Sequence, residues 1–153
     1  MERTLIIIKP SAVKRDLIGE IIHRFEIKGL QLCGLKMMQL DDKILNEHYA
    51  HLKEKPFFQR IKTSMMATPV IVCCWKGVDV VNLVRRMVGP TNGRDAALGT
   101  IRGDYSVSVQ ENIIHASDTV ENAEIEIRRF FRTEELYDFE QLNPSVLYAE
   151  YEK

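Results

Sequence analysis

The chain has 153 residues, 45% of them hydrophobic and 28% charged, and 21 Lys and Arg against 22 Asp and Glu give a formal charge of −1. These proportions predict one globular domain over residues 1–153 with enough apolar side chain for its own core, and exclude disorder, collagen and small disulfide scaffolds. A near-neutral balance supplies no global field for nucleic acid or an anionic membrane, and the longest apolar runs, Leu5 to Ile8 and Pro69 to Trp75, fall far short of the about 20 residues of a spanning helix.

Thr4 to Ile8 reads as a buried strand that stops at Lys9-Pro10, because proline cannot continue a ladder. Ile18, Ile21, Ile22 and Phe25 recur at helical spacing, with Gly29 where a C-cap glycine would sit. Leu30 to Leu40 predicts a second strand. Asp41-Asp42 opens a helix through Ile44, Leu45, His48, Tyr49 and Leu52, and after Pro56 a short helix carries Phe58, Ile61 and Met65. Pro69 to Trp75 predicts a strand buried on both faces, and Val80, Val81, Val84, Met87 and Val88 predict a helix closed by Gly89-Pro90. From Gly89 to Glu111 the periodicity disappears, and four of the eight glycines fall there; a loop this long inside a compact domain is typically functional. Ile113-Ile114 then predict a short strand, and Val120, Ala123, Ile127 and Phe130 a last helix, with Asp118 and Glu121 as its capping box. The tail from Thr133 to Lys153 holds Leu136, Tyr137, Phe139, Leu147, Tyr148 and Tyr151, which predicts packing on this subunit or on a neighbour.

Met1-Glu2-Arg3 leads directly into the first strand without a secretory signal pattern, so a cytosolic chain is expected. Cys33, Cys73 and Cys74 are read as reduced packing thiols, the adjacent pair pointing to opposite faces of a strand. Neither common glycine cradle for phosphates is present, and no cysteine–histidine cluster has the spacing of a zinc site. His23, His48 and His51 are read as solvated structural residues. His115 ends a short apolar strand and precedes Ala116-Ser117-Asp118, the start of a helix, whose free N–H groups favour an anion. On spacing alone it is either a phosphoryl-bearing group or an ordinary strand-end histidine.

Asn112-Ile113-Ile114-His115-Ala116-Ser117-Asp118 resembles the active-site signature of the nucleoside diphosphate kinases. Glu2 to Pro10, Gly19-Glu20-Ile21-Ile22 with Phe25-Glu26 and Lys28-Gly29, His48-Tyr49, Lys55-Pro56-Phe57-Phe58, Arg85 to Asn92 and Gly99 to Asp104 follow the family's order, so the resemblance runs from about Glu2 to Leu136. It implies an α+β fold, a four-stranded antiparallel ferredoxin-like sheet with helices across it; periodicity alone says only mixed α and β. It also implies a ping-pong exchange in which His115 takes the γ-phosphoryl group of a nucleoside triphosphate and passes it to a nucleoside diphosphate, with ATP/ADP and GTP/GDP among the substrates.

By the same resemblance, Glu126 orients His115, and Ser117 bonds Glu126 or the phosphohistidine, or only caps the helix. Lys9, Arg85 and Arg102 form the cationic clamp with the hydroxyls of Tyr49 and Thr91. Lys9 and Asn112 reach the ribose, while Phe57 stacks one face of the base and Val109 borders the other, a contact that tolerates purines and pyrimidines alike. Mg²⁺ arrives with the nucleotide, without direct protein ligands, and Asp118 is its outer-shell partner. Each residue keeps an ordinary structural alternative: surface charge for Arg85 and Arg102, a snorkelling strand end for Lys9, a core aromatic for Phe57, a solvated glutamate for Glu126. The chain departs from the family's pattern at Ser11, Ala116, Gly93 and Leu98; the last two replace frequent prolines and predict a more mobile loop. The tail favours a hexamer over a tetramer. The rival from another class is a non-catalytic oligomer of the same fold that binds nucleotide or nucleic acid as a regulator.

Overall fold

The computed structural model describes residues 1–140 and 144–152. Its strands are β1 (Glu2–Ile8), β2 (Gln31–Met38), β3 (Val70–Gly77) and β4 (Ile114–Ala116), all antiparallel in the order β2-β3-β1-β4. The helices are α1 (Pro10–Val13), α2 (Ile18–Ile27), α3 (Asp42–His48), α4 (Phe58–Met65), α5 (Val80–Val88), α6 (Ile101–Tyr105), α7 (Val120–Phe130) and a last short turn, α8 (Pro144–Leu147). With α2 between the first two strands and α5 between the last two, this is the ferredoxin-like α+β arrangement.

Strand alternation sorts the core into two layers. Ile6, Ile8, Cys73, Trp75, Ile114 and Ala116 face α2 and α5, meeting Phe25, Val81 and Val84. Leu5, Ile7, Val72 and Cys74 face the other way, where Leu45 of α3 and Ile127 and Phe130 of α7 cover them. Cys73 and Cys74 thus point to opposite faces, and all three cysteines are free and buried. The register pairs His115 with Ile7, which puts the histidine on the α3 and α7 face while its neighbours Ile114 and Ala116 pack into the opposite layer.

Several expectations shift. α7 is capped by Thr119, whose side chain accepts from the Asn122 N–H at 3.1 Å. The capping box read at Asp118 and Glu121 does not form: the cap lies one residue later, and Asp118 accepts from the Asn122 side chain at 2.7 Å. Val120 is 40% exposed and does not belong to the apolar stripe. The predicted loop after Gly89 contains α6, whose five residues are too few to show a period; Thr100 caps it by accepting from the Gly103 N–H at 3.0 Å. Ile113 lies before β4 with φ of 62°. The tail docks partly on its own subunit: Leu136 packs on the α3 and α7 layer, and the Tyr137 N–H donates to the Cys33 carbonyl at 2.8 Å. Tyr137 and Tyr151 are 67% and 90% exposed, and tail residues 141–143 and 153 lie outside the described set.

At Gly103 a Cβ would stand 1.9 Å from the Ala97 carbonyl oxygen. Gly103→Ala is expected to destabilise the protein by about 1–3 kcal/mol through overpacking, read as a lower urea midpoint; an unchanged midpoint contradicts that close approach.

Candidate active site

His115 and Ser117 are two residues apart and share the α7 face of the sheet. Glu126, on the turn of α7 above them, receives both: its Oε2 lies 2.9 Å from His115 Nε2 and accepts from Ser117 Oγ at 2.6 Å. Ser117 is fully buried and held by the Leu5 N–H, which donates to its Oγ at 3.2 Å. Burial alone would raise the Glu126 carboxyl, but the bonds from His115 and Ser117 and the neighbouring His115 hold it below its ordinary value. An ionised carboxylate only accepts, so His115 Nε2 carries the proton, and in the neutral imidazole Nδ1 bears the lone pair.

The backbone before β4 is strained. The Ile114 N–H donates to the Asn112 carbonyl at 2.8 Å across Ile113, whose φ is 62°: a three-residue turn at an angle that β-branched residues rarely adopt. Arg102 braces it, donating from Nε to the Asn112 carbonyl at 3.2 Å and from Nη2 to the Ile114 carbonyl at 2.6 Å. Burial, then the charge of Arg85, presses the Arg102 pKa downward, yet a guanidinium stays charged in a protein. Lys9 Nζ donates to Asn112 Oδ1 at 2.7 Å, and Asn112 Nδ2 donates to the Val109 carbonyl at 2.7 Å, so one amide ties the strand-end cation to the far rim. Desolvation, with repulsion from Arg102, lowers Lys9 to about 7.

His48, read from sequence as solvated, is 6% exposed. Its ring meets His115 edge to face at 4.7 Å, and Tyr49 and Phe130 pack on it at 4.7 and 5.2 Å. The signal was present: His48 follows Leu45 by three and Ile44 by four, on the helix's apolar face. Arg129, also unforeseen, has its Nη1 3.0 Å from His48 Nδ1, and its Nε pairs with Glu47 at 3.3 Å. The exposed His23 and His51 match expectation. Ligand atoms of His48, His115 and Glu126 lie within 4.8 Å of one another, the spacing of a metal cluster. The donors do not fit one: Arg129 can only donate, so His48 Nδ1 accepts and Nε2 carries the proton, leaving no lone pair there for a metal.

These groups line a cleft of about 910 Å³. Every residue expected at the site lines it except Ser117, which sits behind Glu126. Lys9, Arg85 and Arg102 bring three cations to the cleft that His115 lines, and Phe57 and Val109 form part of the wall. Such a site can accept a polyanion with an aromatic end and present an imidazole lone pair to it.

A family model described as "Nucleoside diphosphate kinase" matches residues 2–136. Among curated proteins, the chain is 65% identical over 149 residues to nucleoside diphosphate kinase from Parabacteroides distasonis, with 97% of each covered. It is 49% identical over 147 residues to human nucleoside diphosphate kinase A, covering 96% of this chain and 97% of that protein. Among solved structures, a halophilic nucleoside diphosphate kinase from Halobacterium salinarum in complex with CDP superposes with a TM-score of 0.93 at 41% identity, covering 96% of this chain and 98% of that one. The chain belongs to the nucleoside diphosphate kinase family. Its activity is that of the family, transfer of a phosphoryl group between nucleoside triphosphates and diphosphates.

In this kinase the unpaired charge of Lys9 has a measurable signature. Its ordinary value of 10.5 falls to about 7 on folding, so the unfolded chain binds more protons between those values. The destabilisation is therefore fully present below pH 7 and fades as pH rises toward 10.5. Lys9→Met is expected to gain about 1–3 kcal/mol over wild type at pH 6, a figure discounted for the solvent contact Lys9 retains, and to lose most of that gain by pH 10. Urea unfolding at the two pH values checks this; a gain independent of pH contradicts it.

Proposed function

We propose that the kinase works by a ping-pong exchange through a phosphohistidine at His115 Nδ1. The observation that carries this reading is the 2.9 Å contact between His115 Nε2 and Glu126, which commits the other ring nitrogen to the cleft as a lone pair. The Nδ1 lone pair forms a bond to the γ-phosphorus as the bond from phosphorus to the β–γ bridging oxygen breaks, and the diphosphate leaves with that electron pair. The proton stays on Nε2, so the phosphorylated ring is cationic and the Glu126 carboxylate faces its charge. The return step reverses this onto a second diphosphate. A neutral imidazole is nucleophilic near pH 7 without a further base, and what remains is positioning and charge.

Lys9, Arg85, Arg102, Tyr49 and Thr91 hold the phosphates, Lys9 and Asn112 the ribose, and Phe57 and Val109 the two faces of the base. Their convergence on one cleft supports these roles, as does the CDP held by the Halobacterium relative. Mg²⁺ comes as part of the substrate. Among the described carboxylates of the cleft, Glu47 pairs with Arg129 and Glu126 is engaged by His115 and Ser117. By the family resemblance Asp118, which also accepts from the Asn122 side chain, holds a water of the ion, as suits a nucleotide-borne cation that keeps several waters. The three free thiols are in keeping with a reducing, cytosolic setting. No described helix is long and apolar enough to cross a membrane.

The assembly we favour is a hexamer. Leu35 and Met37 stand 50% and 60% exposed on the open edge strand β2, and Leu98 and Val107 are 87% and 82% exposed in the Gly89–Glu111 segment, apolar side chains that other copies can cover. The non-catalytic regulator is not favoured, because the cleft keeps nucleophile, carboxylate and cations together.

Incubation with γ-labelled ATP is expected to leave label on the wild-type chain that is lost in acid and absent from His115→Ala, while Glu126→Gln slows labelling at least about a hundredfold. Acid-stable label, or equal label on His115→Ala, overturns the mechanism. Native mass measurement is expected to give six copies; a four-copy particle overturns the assembly.

A further inference from the structure

The nucleophile has a second ring against it that the exchange described above does not use. His48 sits at the C-terminal end of α3, buried, and its ring plane meets that of His115 at 83° with centroids 4.7 Å apart. Its Nδ1 accepts from Arg129 Nη1, which leaves a proton on Nε2, and Nε2 is buried without a hydrogen-bond partner among the described residues. A buried orphan donor costs about 1–3 kcal/mol. A leucine or phenylalanine would fill the same volume without that cost, so the imidazole is not explained by packing alone.

Arg129 and Glu126 are one turn apart on α7 and face the same side. Glu126 holds the His115 ring by Nε2 and Arg129 holds the His48 ring by Nδ1, so one helix turn fixes both rings of the edge-to-face pair. We propose that His48 is a positioning residue for His115: anchored by Arg129, its uncharged ring limits rotation of the nucleophile about its side-chain bond and keeps Nδ1 aimed into the cleft. An aliphatic residue would give the face of His115 a softer wall, and a cationic side chain would repel the ring that becomes positive on phosphorylation. Burial, then the neighbouring His115, lowers His48 to about 3, so it stays neutral wherever the enzyme works.

This inference rests on His115 being the phosphoryl carrier. The test is rapid-quench phosphorylation of the full-length kinase by saturating Mg·ATP, with ADP affinity measured in parallel. His48→Asn keeps an acceptor for Arg129 but removes the ring, and Arg129→Gln keeps the ring but removes its anchor. His48→Asn is expected to slow phosphorylation about tenfold to a hundredfold and Arg129→Gln by a smaller factor, with ADP affinity within twofold of wild type in both. The His115 Nε2 proton resonance is expected to broaden in both variants as the ring gains freedom. Wild-type rates in both variants overturn the proposal, as does a loss of ADP affinity that matches the loss of rate. If His48→Asn fails to fold, Arg129→Gln decides alone. Absence of label from His115 in the wild-type chain would defeat the carrier assignment instead.

Discussion

A single proton held between His115 Nε2 and Glu126 sets the terms for everything else in the site. The proton has one place to be, because the carboxylate is ionised and accepts a second bond from Ser117. The ring therefore has one reactive nitrogen, and the negative charge that steadies the ring when it becomes positive is already in position. The arrangement requires a strand and a helix to be in register: β4 pairs His115 with Ile7, and the Thr119 cap fixes the start of α7 so that Ala123, Ile127 and Phe130 turn inward. Glu126 then falls at the border of the buried stripe, close enough to the sheet to reach the histidine and 13% exposed at its side chain. A one-residue slip of either element would send the histidine or the glutamate elsewhere.

The second demand on the fold is to bring positive charge to an uncharged nucleophile without giving that charge a permanent anion. Lys9 is half-buried at the end of an apolar strand with an amide oxygen, not a carboxylate, as its hydrogen-bond partner. Arg102 spends its donors on the carbonyls of Gly89, Asn112 and Ile114. Neutral acceptors keep these cations in place while leaving their field in the cleft, where it is strengthened by the low dielectric. The strained turn at Ile113 belongs to the same device. It directs carbonyls at Arg102 and at the Lys9 N–H, which donates to the Ile113 carbonyl at 2.9 Å, so the conformational cost of about 1–3 kcal/mol is offset by the groups it organises.

The parts of this architecture legible in the sequence are those written by burial. Ile6, Val72 and Trp75 announce strands because they are buried wherever their strand lies, and Ile21 and Phe25 announce a helix because only one face of it is. The site was legible in a different way. Spacing alone favours an ordinary strand-end histidine for His115 and gives Glu126 no role; the family's ordered motifs bring both together, and the structure brings them within 2.9 Å. What stayed hidden was set by tertiary contacts with no local period. His48 looked polar although its helix turned it inward, Thr119 outcompeted Asp118 for the cap by one residue, and α6 was shorter than two turns. Histidine's polar tip and apolar body make it the residue for which composition says least about burial.

The Gly89–Glu111 segment holds itself by side chains as well as by backbone. By the family resemblance Gly93 and Leu98 stand in place of prolines, which predicts a more mobile loop. In the structure the segment is fastened by side chains: Asn92 accepts from the Arg94 N–H at 3.3 Å and donates to Asp95 at 2.8 Å, and Asp104 accepts from the Gly99 N–H at 2.8 Å. Arg24 of α2 then pairs with Asp104 at 2.7 Å and donates to the Tyr105 hydroxyl at 3.1 Å, tying the loop to a helix of the same core layer. Gly93 packs so closely on Ser106 that a Cβ would stand 2.2 Å from its carbonyl oxygen. Proline restricts a chain before it folds, whereas these bonds restrict it only afterwards. These bonds hold the segment that carries Thr91 and Arg102 to the cleft they line.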